Sequence, residues 1–170
     1  MRLIYRAAAL AAATFSLLVL AACDPQRISE LKEGVSTEAD VRDRFGAPEN
    51  VWEEPGGART FEYNRQPAGQ VNYMITIGPD GRMTALRQVL TPETFARVQP
   101  GMRMDAVRRL LGKPAKVTPY ELKQETHADW RYVEPPNQAK VFTVVYGPDQ
   151  FVLRTHSGVD TEAPEFKGGK

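Results

Sequence analysis

One eight-residue pattern occurs twice in this chain. Val41-Arg42-Asp43-Arg44-Phe45-Gly46-Ala47-Pro48 returns as Val107-Arg108-Arg109-Leu110-Leu111-Gly112-Lys113-Pro114. A glycine precedes each copy, Gly34 and Gly101. A Gly-Pro-Asp turn follows each, starting at Gly78 and at Gly147. Val41, Phe45, Gly46 and Pro48 map onto Val107, Leu111, Gly112 and Pro114 with an offset of 66, and Phe61, Tyr63, Gly78 and Asp80 map onto Trp130, Tyr132, Gly147 and Asp149 with an offset of 69. Two blocks that keep their order at near-constant spacing mark an internal repeat. Three residues are inserted between helix and sheet in the second copy. A chain of this kind is one structural unit used twice.

Each part of the pattern has a local cause. Val41 and Phe45 are four apart and share one helix face. Ser36 or Thr37 can cap that helix, with Asp40 closing a capping box on Thr37. The glycine sits where a left-handed residue ends a helix, and the proline prevents continuation. In the second copy Met104, Val107, Leu110 and Leu111 repeat the apolar spacing. A short helix precedes each: Ile28 to Lys32 in the first copy, and a Thr91-capped, Pro92-initiated turn carrying Phe95 and Val98 in the second. Period-two alternation then marks strands. They run over Thr60 to Asn64, Val71 to Ile77 and Arg82 to Val89, and over Asp129 to Val133, Val141 to Tyr146 and Gln150 to Thr155. The segment from Val117 to Thr126 reads as a further strand or a long loop. The expected fold class is therefore α+β. It consists of two tandem helix–helix–three-stranded antiparallel sheet units, 28–90 and 91–156, packed without a linker and followed by a flexible tail over 157–170.

The first 22 residues read as a secretory leader, with Arg2 and Arg6 before an apolar run from Ala7 to Ala22. The run ends Leu20-Ala21-Ala22-Cys23, and Cys23 is the one cysteine of the chain. A lone cysteine directly after a leader points to lipidation rather than to a disulfide. Residues 23–27 then form a tether of roughly 15 Å, which expects the folded part to work close to a bilayer. Losing Arg2 and Arg6 with the leader leaves 20 basic against 21 acidic residues. Neither nucleic acid nor an anionic surface is called for by that balance.

The order helix, helix, three strands, with Gly101, Met102, Val107, Leu111, Gly112, Pro114, Trp130 and Tyr132 at their spacing, resembles the SmpA/OmlA (BamE-like) lipoprotein family. The first copy fits less closely, with one extra residue between Gly34 and Val41 and Phe61 in place of tryptophan. The resemblance covers about residues 28–156. It implies a lipid-anchored, non-enzymatic, protein-binding component of outer-membrane protein assembly at the periplasmic face of the outer membrane, with the β-barrel assembly machinery as partner. Asp24, directly after the cysteine, is similar to an inner-membrane retention signal and leaves that membrane open. Family members carry one unit where this chain carries two. The tandem form is similar to β-lactamase inhibitor proteins, which gives the alternative: a binding or inhibitor module for a periplasmic enzyme, presenting a concave aromatic sheet face.

Catalytic chemistry is sparsely indicated. Glu125, His127 and Asp129 alternate and would share a strand face, as a metal or acid–base site needs; a polar, solvent-facing strand gives the same pattern. No phosphate loop, nucleophile elbow or two-histidine metal motif is present. No cofactor and no metal are expected. Among the aromatic residues, Tyr63, Trp130 and Tyr132 lie on the repeated strand and are expected in the core. Trp52 and Tyr120 lie in the less regular segments after each motif and are the candidate partner contacts. Arg42 and Arg108 are expected on solvent-facing helix flanks.

Overall fold

The computed structural model describes residues 28–163. The leader, Cys23, Asp24, the tether and the last seven residues lie outside that range. Helical backbone at Ile28 and Ser29 turns at Glu30. Helix α1 (Glu38–Phe45) follows, and four strands then form an antiparallel sheet in sequence order: β1 (Asn50–Glu53), β2 (Arg59–Asn64), β3 (Asn72–Ile77) and β4 (Met83–Gln88). The second half repeats the order with α2 (Pro92–Phe95), α3 (Met104–Leu111), β5 (Lys116–Tyr120), β6 (Glu125–Glu134), β7 (Gln138–Tyr146) and β8 (Val152–Val159).

Each sheet thus has four strands, not the three expected. The added strands are β1 and β5, the first edge of each sheet. β8 also runs on to Val159, past the expected boundary at 156, because it pairs with β7 as far as Lys140. The three inserted residues of the second unit lengthen the β5–β6 hairpin, whose tip carries the fully exposed Leu122.

The repeat holds at the level of single hydrogen bonds. Thr37 caps α1, and its box with Asp40 is closed from both sides. Gly34 N–H donates to the Met83 carbonyl and Met83 N–H to Ser36; Gly101 donates to Val152 and Val152 to Met102. The residues before each long helix are clipped in this way onto the last strand of their own sheet. Gly34 and Gly101 make the turn with φ of 76° and 85°. The glycines that end the helices have positive φ, but ψ is extended rather than left-handed: 82°, −159° at Gly46 and 75°, −170° at Gly112. That region is open essentially to glycine alone.

The two sheets are stacked with α3 between them. On the front of sheet 1, Phe61, Tyr63, Ile75, Ile77 and Met83 pack on Val41 and Phe45 of α1. On the front of sheet 2, Ala128, Trp130, Tyr132, Phe142, Val144, Tyr146 and Val152 pack on Phe95, Val98, Val107 and Leu111. Burying a side chain of this size stabilises by about 1.5–3 kcal/mol. Met74, on the back of sheet 1, belongs to the second cluster, so the second core extends into the first unit. Each helix-ending glycine offers its carbonyl to an aromatic of its own sheet. Tyr63 Oη donates to Gly46 at 3.1 Å and Trp130 Nε1 to Gly112 at 3.0 Å.

Candidate binding surface

Both sheets have a back face, and the two are used differently. The back of sheet 1 is buried where Glu62, Asn72 and Met74 lie, and two of these three are polar. Glu62, fully buried, accepts from Trp52 Nε1 (3.2 Å), Asn64 Nδ2 (2.8 Å), the Lys113 N–H (3.0 Å) and Arg108 (3.3 Å). Asn72, also fully buried, donates to the carbonyls of Leu111 (2.8 Å) and Lys113 (3.1 Å). Arg109 lies 4.7 Å over the Trp52 ring. The end of α3 is therefore held to sheet 1 by bonds to its own backbone, the one from the Lys113 N–H to Glu62 charge-assisted. Arg108, expected in solvent, instead makes an ion pair across the two units. Arg42, its counterpart, pairs with Glu38 and lies 4.9 Å over Phe61 within the first unit.

Trp52, one of the two candidate contact residues, is accordingly half-buried between the units, bonded to Glu62 and covered by Arg109. Tyr120, the other, is 44% exposed and packs on His127 with ring centroids 4.3 Å apart. It stands on the back of sheet 2, opposite Glu125.

That second back face is ordered by charge. His127 Nε2 lies 3.0 Å from Glu125, and Arg154 grips both Glu125 oxygens at 2.8 and 2.9 Å. The Arg154 guanidinium, followed by His127, holds the Glu125 carboxyl down at about 2, against about 4.5 ordinarily. A carboxylate whose pKa falls on folding stabilises the fold above its unfolded value and loses that contribution as pH drops toward its folded one. Urea midpoints measured from pH 5 to pH 2 are thus expected to fall less steeply for Arg154→Ala than for the parent chain. Parallel acid limbs would show that Arg154 does not hold Glu125 in solution.

Asp129, third in the alternating triplet, does share the face but turns away to accept from Thr143 Oγ1 at 2.6 Å. The three side chains do not converge on one point. Among the described residues no group of three or more His, Cys, Asp or Glu side chains is placed to hold a metal ion, and no helix is long and apolar enough to cross a membrane.

Next to Asp129 lies a pocket of about 450 Å³. Val141 and Thr143 floor it, Lys116, Arg131 and His156 stand at its sides, and residues 158–162 close one edge. Arg131 Nε donates to Asp160 at 2.6 Å, and Lys116 lies 3.7 Å from Glu162. Asp160 and Ala163 are buried, so the stretch read as tail packs on the sheet at least to Ala163. Sequence reasoning did not single out Arg131, Arg154 or Asp160. A signal for the first existed: at the offset of 69, Arg131 stands where the first unit has Glu62.

No protein-family model matches the chain, and no curated protein does. Two solved structures are similar to it over most of both chains. One is a DUF4309 family protein (YjgB) from Bacillus subtilis subsp. subtilis str. 168, at 22% identity and a TM-score of 0.29, covering 76% of this chain and 82% of that one. The other is a candidate beta-lactamase inhibitor protein from Streptococcus mutans, at 8% identity and a TM-score of 0.34, covering 72% and 82%. Both overlays are loose. The SmpA/OmlA resemblance rests on motif order, and the fourth strand in each sheet departs from the unit expected with it.

Proposed function

We propose that this chain is a lipid-anchored, non-enzymatic module that binds another protein through the back face of sheet 2. The observation that carries the reading is the unequal use of two equivalent faces. On sheet 1 the back face is consumed by α3; on sheet 2 the same face carries ordered ionic side chains, Tyr120 and a pocket, with only a short strap across one edge. Charged groups fixed in place by their own partners serve recognition and registry better than they serve stability. The Glu125–His127–Arg154 cluster is read as part of that surface. The face is ionic, with Tyr120 its exposed aromatic, so a partner is recognised by charge pattern more than by an aromatic patch. Within this reading the partner is either a periplasmic enzyme that the module restrains or a subunit of outer-membrane protein assembly; the expected lipidation of Cys23 at the end of Leu20-Ala21-Ala22-Cys23 favours a site of action near a membrane in both cases.

The test has two parts. Cys23→Ser is expected to move the protein from the membrane to the soluble fraction, read by fractionating both envelope membranes. A photo-crosslinking residue at Thr118, on the strand beside His127, is expected to give discrete adducts with an envelope protein. The same residue at Glu53, on the opposite end of the stack, is expected to give none. Equal labelling from both positions, or none from either, would count against the reading.

A further inference from the structure

The strap at the C-terminal end of the described chain does for sheet 2 what α3 does for sheet 1. Glu62 on sheet 1 receives Arg108 from the next unit. Arg131, in the corresponding place on sheet 2, receives Asp160 from the strap, with the charges exchanged. The strap is fixed by its own bonds. Asp160 N–H donates to Ala139, Glu162 N–H to the Asp160 carboxylate, and Ala163 N–H to the Asp160 carbonyl. It brings two carboxylates, Asp160 and Glu162, to Arg131 and Lys116 on a face whose own carboxylate there, Asp129, accepts from Thr143. It covers only part of that face and leaves the pocket open beside it.

Building on the binding role argued above, we propose that the strap is a built-in stand-in for the partner: the Arg131–Lys116 edge of the sheet 2 back face binds an acidic turn segment of another protein, with an Asp-x-Glu spacing like that of Asp160 and Glu162, and that segment displaces the strap. Charge complementarity carries the choice of occupant. A segment that turns as the strap does reaches Arg131 and Lys116 with carboxylates two residues apart, the spacing of Asp160 and Glu162. A tethered competitor acts at an effective concentration near the millimolar range. Weak acidic segments are therefore excluded, and a partner must add contacts in the pocket to win. The face is in this way kept closed to non-specific acidic chains.

The probe is a blocked, fluorescent peptide of residues 159–163, titrated into the full chain and followed by anisotropy. The double variant Asp160→Asn, Glu162→Gln is expected to bind it at least tenfold tighter than the parent. A peptide with Asn and Gln at the acidic positions is expected to bind at least tenfold more weakly than the acidic one. Adding Arg131→Ala or Lys116→Ala to the double variant should remove the gain, with Trp130 fluorescence confirming that each variant is folded. Equal binding by parent and double variant, or binding indifferent to both basic substitutions, overturns the proposal. Crosslinking from Thr118 separates the two levels of failure. Adducts that persist in an Arg131→Ala, Lys116→Ala chain overturn the acidic-segment site alone, whereas no adduct with any chain overturns the binding role itself.

Discussion

Gly112→Ala is expected to cost about 4 kcal/mol of unfolding free energy, and Gly46→Ala about half that. The two glycines end equivalent helices in the same positive-φ, extended-ψ conformation, so a side chain meets the same backbone strain at both, about 1–3 kcal/mol. Their surroundings differ. A Cβ at Gly46 meets nothing within 4 Å. A Cβ at Gly112 would lie 2.5 Å from Asn64 Oδ1 and 3.0 Å from Asn72 Nδ2. Those two side chains bond the Lys113 N–H and the carbonyls of Leu111 and Lys113. Displacing them forfeits bonds worth about 1 kcal/mol each and leaves buried groups unpaired. Chemical denaturation of the two single variants provides the comparison, and equal losses would remove the distinction between the two glycines.

Glu62→Ala is expected to cost about 2–4 kcal/mol, because the buried carboxylate accepts four hydrogen bonds worth roughly 1 kcal/mol each while its ion-pair partner Arg108 stays partly in solvent. Arg108, the Lys113 N–H, Asn64 and Trp52 Nε1 all lose an acceptor at once. The change should also alter how the chain unfolds. Trp52 lies between the units and Trp130 in the second core, so their fluorescence reports separate places. One coincident transition is expected in the parent chain and two resolved transitions in the variant, with Trp52 released first. A single sharp transition at unchanged midpoint would show that Glu62 does not join the units.

What could be read from the sequence was local. The capping box at Thr37, the Pro92 start, the Gly-Pro-Asp turns and the alternation of β3 and β7 each follow from residues a few positions apart. The core places of Tyr63, Trp130 and Tyr132 followed from the repeat. The edge strands carry weaker signals: β1 falls in no expected strand, and β5 falls in the Val117–Thr126 segment that reads as a strand or a long loop. β1 has four residues, and β5 contains Pro119 and is largely exposed, so neither carries the apolar alternation that identifies a half-buried strand. The back face of sheet 1 was harder. Glu62 and Asn72 read as solvent-facing because they alternate with apolar neighbours, and only the helix lying over them makes them interior. Trp52 lies half-buried beside them, bonded to Glu62. On sheet 2 the strap escaped notice because Ser157 to Lys170 is rich in glycine and charge; its order comes from Arg131, 29 residues earlier in the chain.

The sandwiching of α3 bears on how such a duplication can be inherited or cut. Each half has its own helix clip, its own hairpins and its own apolar layer, which makes the chain look divisible at residue 90. It is not symmetric in what each half needs. The second half takes from the first the side chains of Met74, Val89 and Leu90 and a few polar contacts. The first half, released alone, would show water a carboxylate, an amide, a methionine and a tryptophan arranged to receive a helix end. A gene fragment encoding the second half is the better candidate for a free-standing domain, and the first half is the one whose buried polar back face needs a neighbour.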